Sequence, residues 1–212
     1  DQDYRTKKGI ALSEIEELKL GVLGLGHVGL PTALGLANLG WSVVGIDDNQ
    51  EKAQEIEHGI APFYEPDLQQ HLDAQLANGR FRVEYDMATV ISEATILFVC
   101  VGTPQSYDGG ADLSQIEQVA RSIAVNLKEY RLIVEKSTTP VSTAQQIRQS
   151  IRRYAQPGKE KGNDPEFLPD FDVAVNPEFL REGTAISDFF NPDRIVLGVE
   201  TERARDLLIQ VY

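Results

Sequence analysis

The sequence predicts an α/β fold, a parallel sheet wound on both sides by helices. Three observations carry this. Short, largely apolar runs of strand length recur at 18–23, 41–46, 95–101, 131–135 and 171–175, as expected of strands buried on both faces. Helical stretches separate these runs, and that alternation implies crossover connections between parallel neighbours. Turns rich in glycine, proline or hydroxyl residues follow the strands, at the edge where such sheets hold ligands.

Taken in order, residues 1–17 are polar and lack a strand pattern, so they read as an extension ahead of a domain over 18–212. Tyr4 and Lys8 match a Tyr-x-x-x-Lys pair but precede the first strand, where that pair has no catalytic context. The first strand, 18–23, leads through a glycine turn into a helix over 30–39 and a second strand over 41–46. Helices follow at 49–57 and 67–77, separated by a loop over 59–66 that holds two prolines. A short strand at 81–84 and a short helix at 87–92 precede the apolar strand 95–101, the turn 102–104 and a glycine-bearing loop over 105–111. The helix 113–127 places Ile116, Val119, Ala120, Ile123 and Leu127 on one face. Strand 131–135 is followed by a helix over 141–155, opened by Pro140 or Ser142, and a polar loop over 156–170. Strands at 171–175 and 194–199 and a helix at 201–211 complete the pattern. Pro165-Glu166-Phe167-Leu168 repeats Pro177-Glu178-Phe179-Leu180, and only the second copy directly follows a strand.

The glycine turn is Gly24-Leu25-Gly26-His27-Val28-Gly29, and Asp47 ends the second strand 18 residues after Gly29. Gly24 permits the tight exit from the strand, Gly26 lets the backbone approach a diphosphate, and Gly29 lets helix and sheet pack closely. The helix start favours an anion through its free N–H groups and dipole. Asp47 is placed to accept from a ribose 2′-hydroxyl and to repel a 2′-phosphate, so the expected coenzyme is NAD rather than NADP. Asp48 adds to that bias and Lys52 subtracts from it. The whole is a Rossmann-like dinucleotide-binding unit; the bland alternative is a doubly wound domain whose tight turn holds no nucleotide.

Composition bounds the rest. The chain has 212 residues, 42% hydrophobic, a formal net charge of −13 and one cysteine. The acidic balance argues against nucleic acid as a partner. No apolar run approaches the roughly 18–20 residues of a membrane span. A single cysteine excludes an internal disulfide framework and a cysteine-based zinc cluster. No metal site is expected, and a cytoplasmic setting fits. Cys100 lies inside an apolar strand and reads as a buried, inert thiol. His27, His58 and His71 have no evident carboxylate partner and read as structural or solvated.

Two further segments sit at strand ends. In Lys136-Ser137-Thr138-Thr139-Pro140 the hydroxyls either cap the following helix or hydrogen-bond a nicotinamide amide or a reacting hydroxyl. In Asn176-Pro177-Glu178-Phe179-Leu180-Arg181-Glu182-Gly183 two carboxylates lie four residues apart. Were the segment helical they would share a face, either as a proton-handling pair or as an ordinary solvated surface.

Together with Val28-Gly29-Leu30-Pro31, Tyr64-Glu65-Pro66, the stretch 98–104, Glu135-Lys136-Ser137-Thr138 and Pro192-Asp193-Arg194, these segments resemble the UDP-glucose/GDP-mannose 6-dehydrogenases in order and spacing over 18–212. Tyr64-Glu65-Pro66 looks closest to the UDP-glucose branch. The resemblance implies oxidation of a nucleotide sugar's C6 alcohol to the carboxylate with two NAD and one water, through a cysteine thiohemiacetal and thioester. It implies that Gly24, Gly26, His27, Val28, Gly29, Asp47 and Lys52 hold the adenosine and diphosphate half of NAD. Val101, Thr103, Pro104, Ser137 and Glu182 would line the nicotinamide side. Thr138 would orient the water or the reacting hydroxyl, and Glu178 would act as acid/base in thioester hydrolysis. Glu178, Phe179, Leu180 and Glu182 would meet the nucleotide-sugar substrate. His27 stands where the family usually has another aromatic residue.

The family's nucleophilic cysteine, catalytic lysine and asparagine belong to a central helix and second domain that these residues do not include, and Cys100 does not match the nucleophile's context. The resemblance therefore implies a chain that binds NAD without turnover, monomeric as a fragment, from a protein that is a homodimer or larger. UDP-N-acetylmannosamine and GDP-mannose remain alternative substrates. A non-catalytic NAD-binding module is the reading from another class. A secondary-alcohol dehydrogenase lacks a well-placed Tyr/Lys or His/carboxylate pair.

Overall fold

The computed structural model describes residues 18–107, 109–155 and 169–212. The extension 1–17, with Tyr4 and Lys8, and the first Pro-Glu-Phe-Leu copy at 165–168 lie outside the described residues. Six parallel strands form one sheet: β1 Lys19–Leu23, β2 Ser42–Ile46, β3 Phe81–Val83, β4 Ile96–Val99, β5 Arg131–Glu135 and β6 Phe171–Val175, in the order β3-β2-β1-β4-β5-β6. Leu23 pairs with Ile46 on one side and with Val99 on the other. The strand order reverses between β1 and β4, which opens a crevice at their carboxyl ends, the place where doubly wound sheets bind dinucleotides.

The strands separate two cores by their period of two. Leu20, Val22, Ile96, Phe98, Leu132, Val134 and Ala174 face one core. It is covered by α1 Gly29–Asn38, α2 Gln50–Glu57, α3 Leu68–Ala77, α7 Ala185–Phe190 and α8 Glu202–Val211. Leu23, Leu97, Val99, Ile133 and Val173 face the other. That core is covered by α4 Met87–Glu93, α5 Ser114–Asn126 and α6 Thr143–Tyr154. Both faces are apolar, as parallel sheets require, and α1 is buried along Gly29–Ala37 because it lies beneath other helices. Local signals start several helices. Asn49 caps α2 through the Lys52 N–H, Asp86 caps α4 through Ala88 and Thr89, and Thr201 caps α8 through Ala204.

One expectation is corrected, one open reading is decided and one helix is added. The run 194–199 is not a strand of the sheet: it meets β6 only through an antiparallel bridge, Val175 with Gly198. Its apolar, β-branched run resembles a strand's, but Pro192 behind it and Gly198 within it leave no continuous ladder to pair. Residues 176–183 are irregular, ending in a turn, so Glu178 and Glu182 do not share a helical face. Pro177 supplies no N–H, and Gly183 turns the chain at φ +87°. Helix α7 follows at once, where no helix is expected from periodicity.

Candidate coenzyme site

The site is built from strand ends. Gly24 leaves β1 at φ +94°, a left-handed conformation that glycine adopts without strain, and its N–H donates to the Ile46 carbonyl at 2.8 Å. A Cβ on Gly29 would lie 1.8 Å from the Gly24 carbonyl oxygen, so α1 reaches the turn only because this side chain is missing. A Cβ on Gly26 would meet nothing within 4 Å: the space above the turn is open. Among the described residues, the N–H groups of Gly26, His27 and Val28 have no protein acceptor. A cradle of free amides at the start of a ten-residue helix fits a diphosphate.

Asp47 points into this turn. Its Oδ2 accepts from the Leu25 N–H at 2.7 Å and contacts Lys52 Nζ at 2.6 Å, while Oδ1 accepts from the Asn49 N–H at 3.0 Å. The Asp47 side chain is 3% exposed and Lys52 26%, so the ammonium lies over the carboxylate. One lone pair of Oδ1 remains for a ribose hydroxyl, and Lys52 partly offsets the charge that would repel a 2′-phosphate. His27 is exposed and its ring packs against Phe63, centroids 4.1 Å apart.

Across the crevice, the hydroxyls after β5 do not cap α6. Ser137 Oγ donates to the Val101 carbonyl at 2.7 Å, and Thr103 Oγ1 donates to the Thr138 carbonyl at 2.7 Å. These bonds tie the ends of β4 and β5 together and bring Val101, Thr103, Pro104, Ser137 and Thr138 to one edge. Thr139 donates to Glu135, a buried carboxyl whose pKa burial pushes up to about 7. Cys100 is buried beside Gly29, and burial pushes its thiol up to about 12, which keeps it unreactive. His58 Nδ1 lies 2.7 Å from the Gln54 carbonyl and His71 stacks on Phe190, both away from the crevice.

After β6, Glu178 Oε2 accepts from the Leu180 N–H at 2.5 Å, Phe179 is exposed, and Glu182 lies on an exposed turn. Glu178, Phe179 and Leu180 line a cleft of about 570 Å³, together with Lys136, Arg194 and Tyr212. Glu182 is not part of this cleft's lining.

Sequence reasoning missed two groups. Lys136, buried on the cleft floor, donates to Asn176 Oδ1 at 3.1 Å; Tyr212 donates to the same oxygen at 2.5 Å, and Asn176 Nδ2 donates to the Val196 carbonyl at 3.0 Å. Burial lowers the Lys136 pKa, and the nearby negative charge of Glu178 opposes that shift. Glu65 is the second: its buried carboxylate accepts from the N–H groups of Gly183 and Ala185. Neither has a local sequence signal: Lys136 stands between Glu135 and Ser137, and Glu65 between Tyr64 and Pro66.

No group of three or more His, Cys, Asp or Glu among the described residues could hold a metal ion. No helix among them is long and apolar enough to cross a membrane.

Over residues 18–212 the chain matches the model of the UDP-glucose/GDP-mannose dehydrogenase family, NAD binding domain. It is 38% identical over 200 residues to a UDP-glucose 6-dehydrogenase of Rhizobium meliloti, covering 92% of this chain and 43% of that protein. A UDP-glucose dehydrogenase structure from Pyrobaculum islandicum superposes with a TM-score of 0.86 at 37% identity, over 96% of this chain and 46% of that one. A GDP-mannose dehydrogenase structure from Pseudomonas aeruginosa, in a ternary complex, gives 0.82 at 34% identity, over 91% and 43%. The chain thus spans less than half the length of each of these relatives.

Proposed function

The chain belongs to the UDP-glucose/GDP-mannose dehydrogenase family, whose NAD-binding domain it forms, and on that premise we propose that it is the coenzyme half of an enzyme that oxidises the C6 alcohol of UDP-glucose to the carboxylate. NAD, when bound, supplies the hydride acceptor. The free amides of Gly26, His27 and Val28 hold its diphosphate, and Asp47 with Lys52 holds the adenosine ribose. Val101, Thr103, Pro104, Ser137 and Glu182 form the nicotinamide side. Thr138 orients the reacting hydroxyl or water, and Glu178 moves a proton at the rim of the cleft that receives the sugar, with Phe179 and Leu180 beside it. UDP-glucose is favoured over GDP-mannose and UDP-N-acetylmannosamine by several relatives named UDP-glucose 6-dehydrogenase at 36–38% identity and by Tyr64-Glu65-Pro66. The full-length protein acts as a homodimer or larger, in the cytoplasm.

The observation that carries this reading is the amide cradle with Asp47 seated against it at 2.7 Å. Two assays test it. The 212-residue chain should bind NAD but not complete the two-NADH oxidation of UDP-glucose, because its one cysteine is buried just past β4 and cannot form the thioester. The full-length protein should form two NADH per UDP-glucose, and Glu178→Gln in it should stall hydrolysis and leave a covalent acyl adduct detectable by mass spectrometry. Two NADH per UDP-glucose from the 212-residue chain alone, or none from the full-length protein, would contradict it.

A further inference from the structure

The loop between α2 and α3 touches both ends of the coenzyme crevice. At one end Phe63 packs on His27 of the phosphate turn, the rings tilted by 36°. At the other, Glu65 is 6% exposed and accepts from the N–H groups of Gly183 and Ala185, each at 2.8 Å and more than a hundred residues away in sequence. Between them Tyr64 is 90% exposed, so this stretch turns Phe63 and Glu65 towards the fold and Tyr64 to solvent. The loop's entry is fixed as well: Gln69 on α3 donates to the Gly59 carbonyl and accepts from the Ala61 N–H.

The amides that Glu65 engages would otherwise be orphans at the start of α7. They belong to the turn that carries Glu182, whose next residue, Gly183, is left-handed at φ +87°. Nothing in the turn's own sequence supplies this cap: Thr184 is at the N-cap position, but its hydroxyl engages the Arg181 carbonyl and Asp188 instead of a helix N–H. A carboxylate anchored by two amides fixes both the position and the direction of that turn.

We propose that residues 59–66 are a strap that holds the two halves of the coenzyme site in register. Glu65 is a positioning residue for the nicotinamide-side turn, and Phe63 is one for the phosphate turn. The inference rests on the coenzyme reading above and adds residues to which that reading gives no role.

The test compares NAD with ADP-ribose, which keeps the adenosine and diphosphate but lacks the nicotinamide. Calorimetry on the 212-residue chain should show Glu65→Ala raising the Kd for NAD about tenfold, the scale of a lost helix cap, with less than about a twofold change for ADP-ribose. Phe63→Ala should weaken both ligands together, about fivefold. Glu65→Gln keeps one acceptor and sets a second N–H against an amide N–H, so it should give the same split at smaller amplitude; it carries the test if the alanine variant does not fold. Protection of Cys100 from a thiol reagent reports that each variant is folded. Parallel losses for NAD and ADP-ribose in both Glu65 variants, or no loss in either, would overturn the strap alone. Failure of the unaltered chain to bind NAD would overturn the coenzyme reading and the strap with it.

Discussion

The phosphate turn after β1 and the irregular segment after β6 lie at strand ends of the same sheet and are held in opposite ways. In the first, backbone does the work: Gly24 and Gly29 let two backbone segments approach within contact distance, and Asp47 arrives from the neighbouring strand end to anchor Leu25. Gly29, Asp47 and Lys52 all lie within 30 residues of Gly24. In the second, distant side chains do the work. Asn176 gathers Lys136, Tyr212 and Val196, and Glu65 holds Gly183 and Ala185 from across the sheet. A turn fixed by steric exclusion tolerates no added atom. A segment fixed by polar contacts tolerates volume but not the loss of a partner.

The largest expected effect tests the steric side. Gly29→Ala places a Cβ against backbone that cannot move aside, and should cost more than about 4 kcal/mol or abolish folding. Gly26→Ala meets no neighbour, so it should fold like the parent while losing at least about tenfold in NAD affinity, because the methyl fills the diphosphate space. Urea unfolding and calorimetry read both. A stable Gly29→Ala protein would break the contrast.

Next in size, Asn176→Ala removes three hydrogen bonds and leaves the buried Lys136 ammonium only its 3.5 Å contact with the Tyr212 hydroxyl, at a cost of about 3 kcal/mol by urea unfolding. The folded fraction should still bind NAD, since the phosphate turn does not depend on Asn176. Loss of binding in the folded variant would show that the two regions are not separable.

A smaller effect comes from Glu135, whose backbone carbonyl receives the Asn176 N–H at 2.9 Å and whose carboxyl receives Thr139. Burial raises its folded pKa to about 7, above the ordinary value of roughly 4.3. The folded state therefore binds the proton more tightly. Below the unfolded pKa both states are protonated and no penalty exists; the penalty grows as pH rises and is complete above about 7. Relative to Glu135→Gln, the parent should lose on the order of 2 kcal/mol between acidic and mildly alkaline pH. Equal pH profiles would contradict the burial assignment.

The same contrast explains what could be read from sequence. The glycine turn, Asp47, the apolar strands and the amphipathic α5 were legible because their causes are local: spacing, period and caps within a few residues. Helix α7 was not, because its cap is Glu65, 120 residues away. Whether 176–183 is helical was open from carboxylate spacing alone, and Pro177 and Gly183 leave it irregular. The run 194–199 is apolar and β-branched like a strand but finds one bridge in place of a ladder. Lys136 and Asn176 were seen only as neighbours of Ser137 and Glu178, since their shared contact with Tyr212 depends on α8 docking beside β6.

The central claim is that an NAD molecule rests on the amides after β1 with its adenosine ribose at Asp47. Calorimetric titration of the chain with NAD and NADP, repeated on Asp47→Asn, addresses it directly. The account predicts binding of NAD in preference to NADP, and a preference that shrinks or inverts when the carboxylate is removed. Saturating NAD without heat of binding, or a preference for NADP that the substitution leaves unchanged, would contradict it.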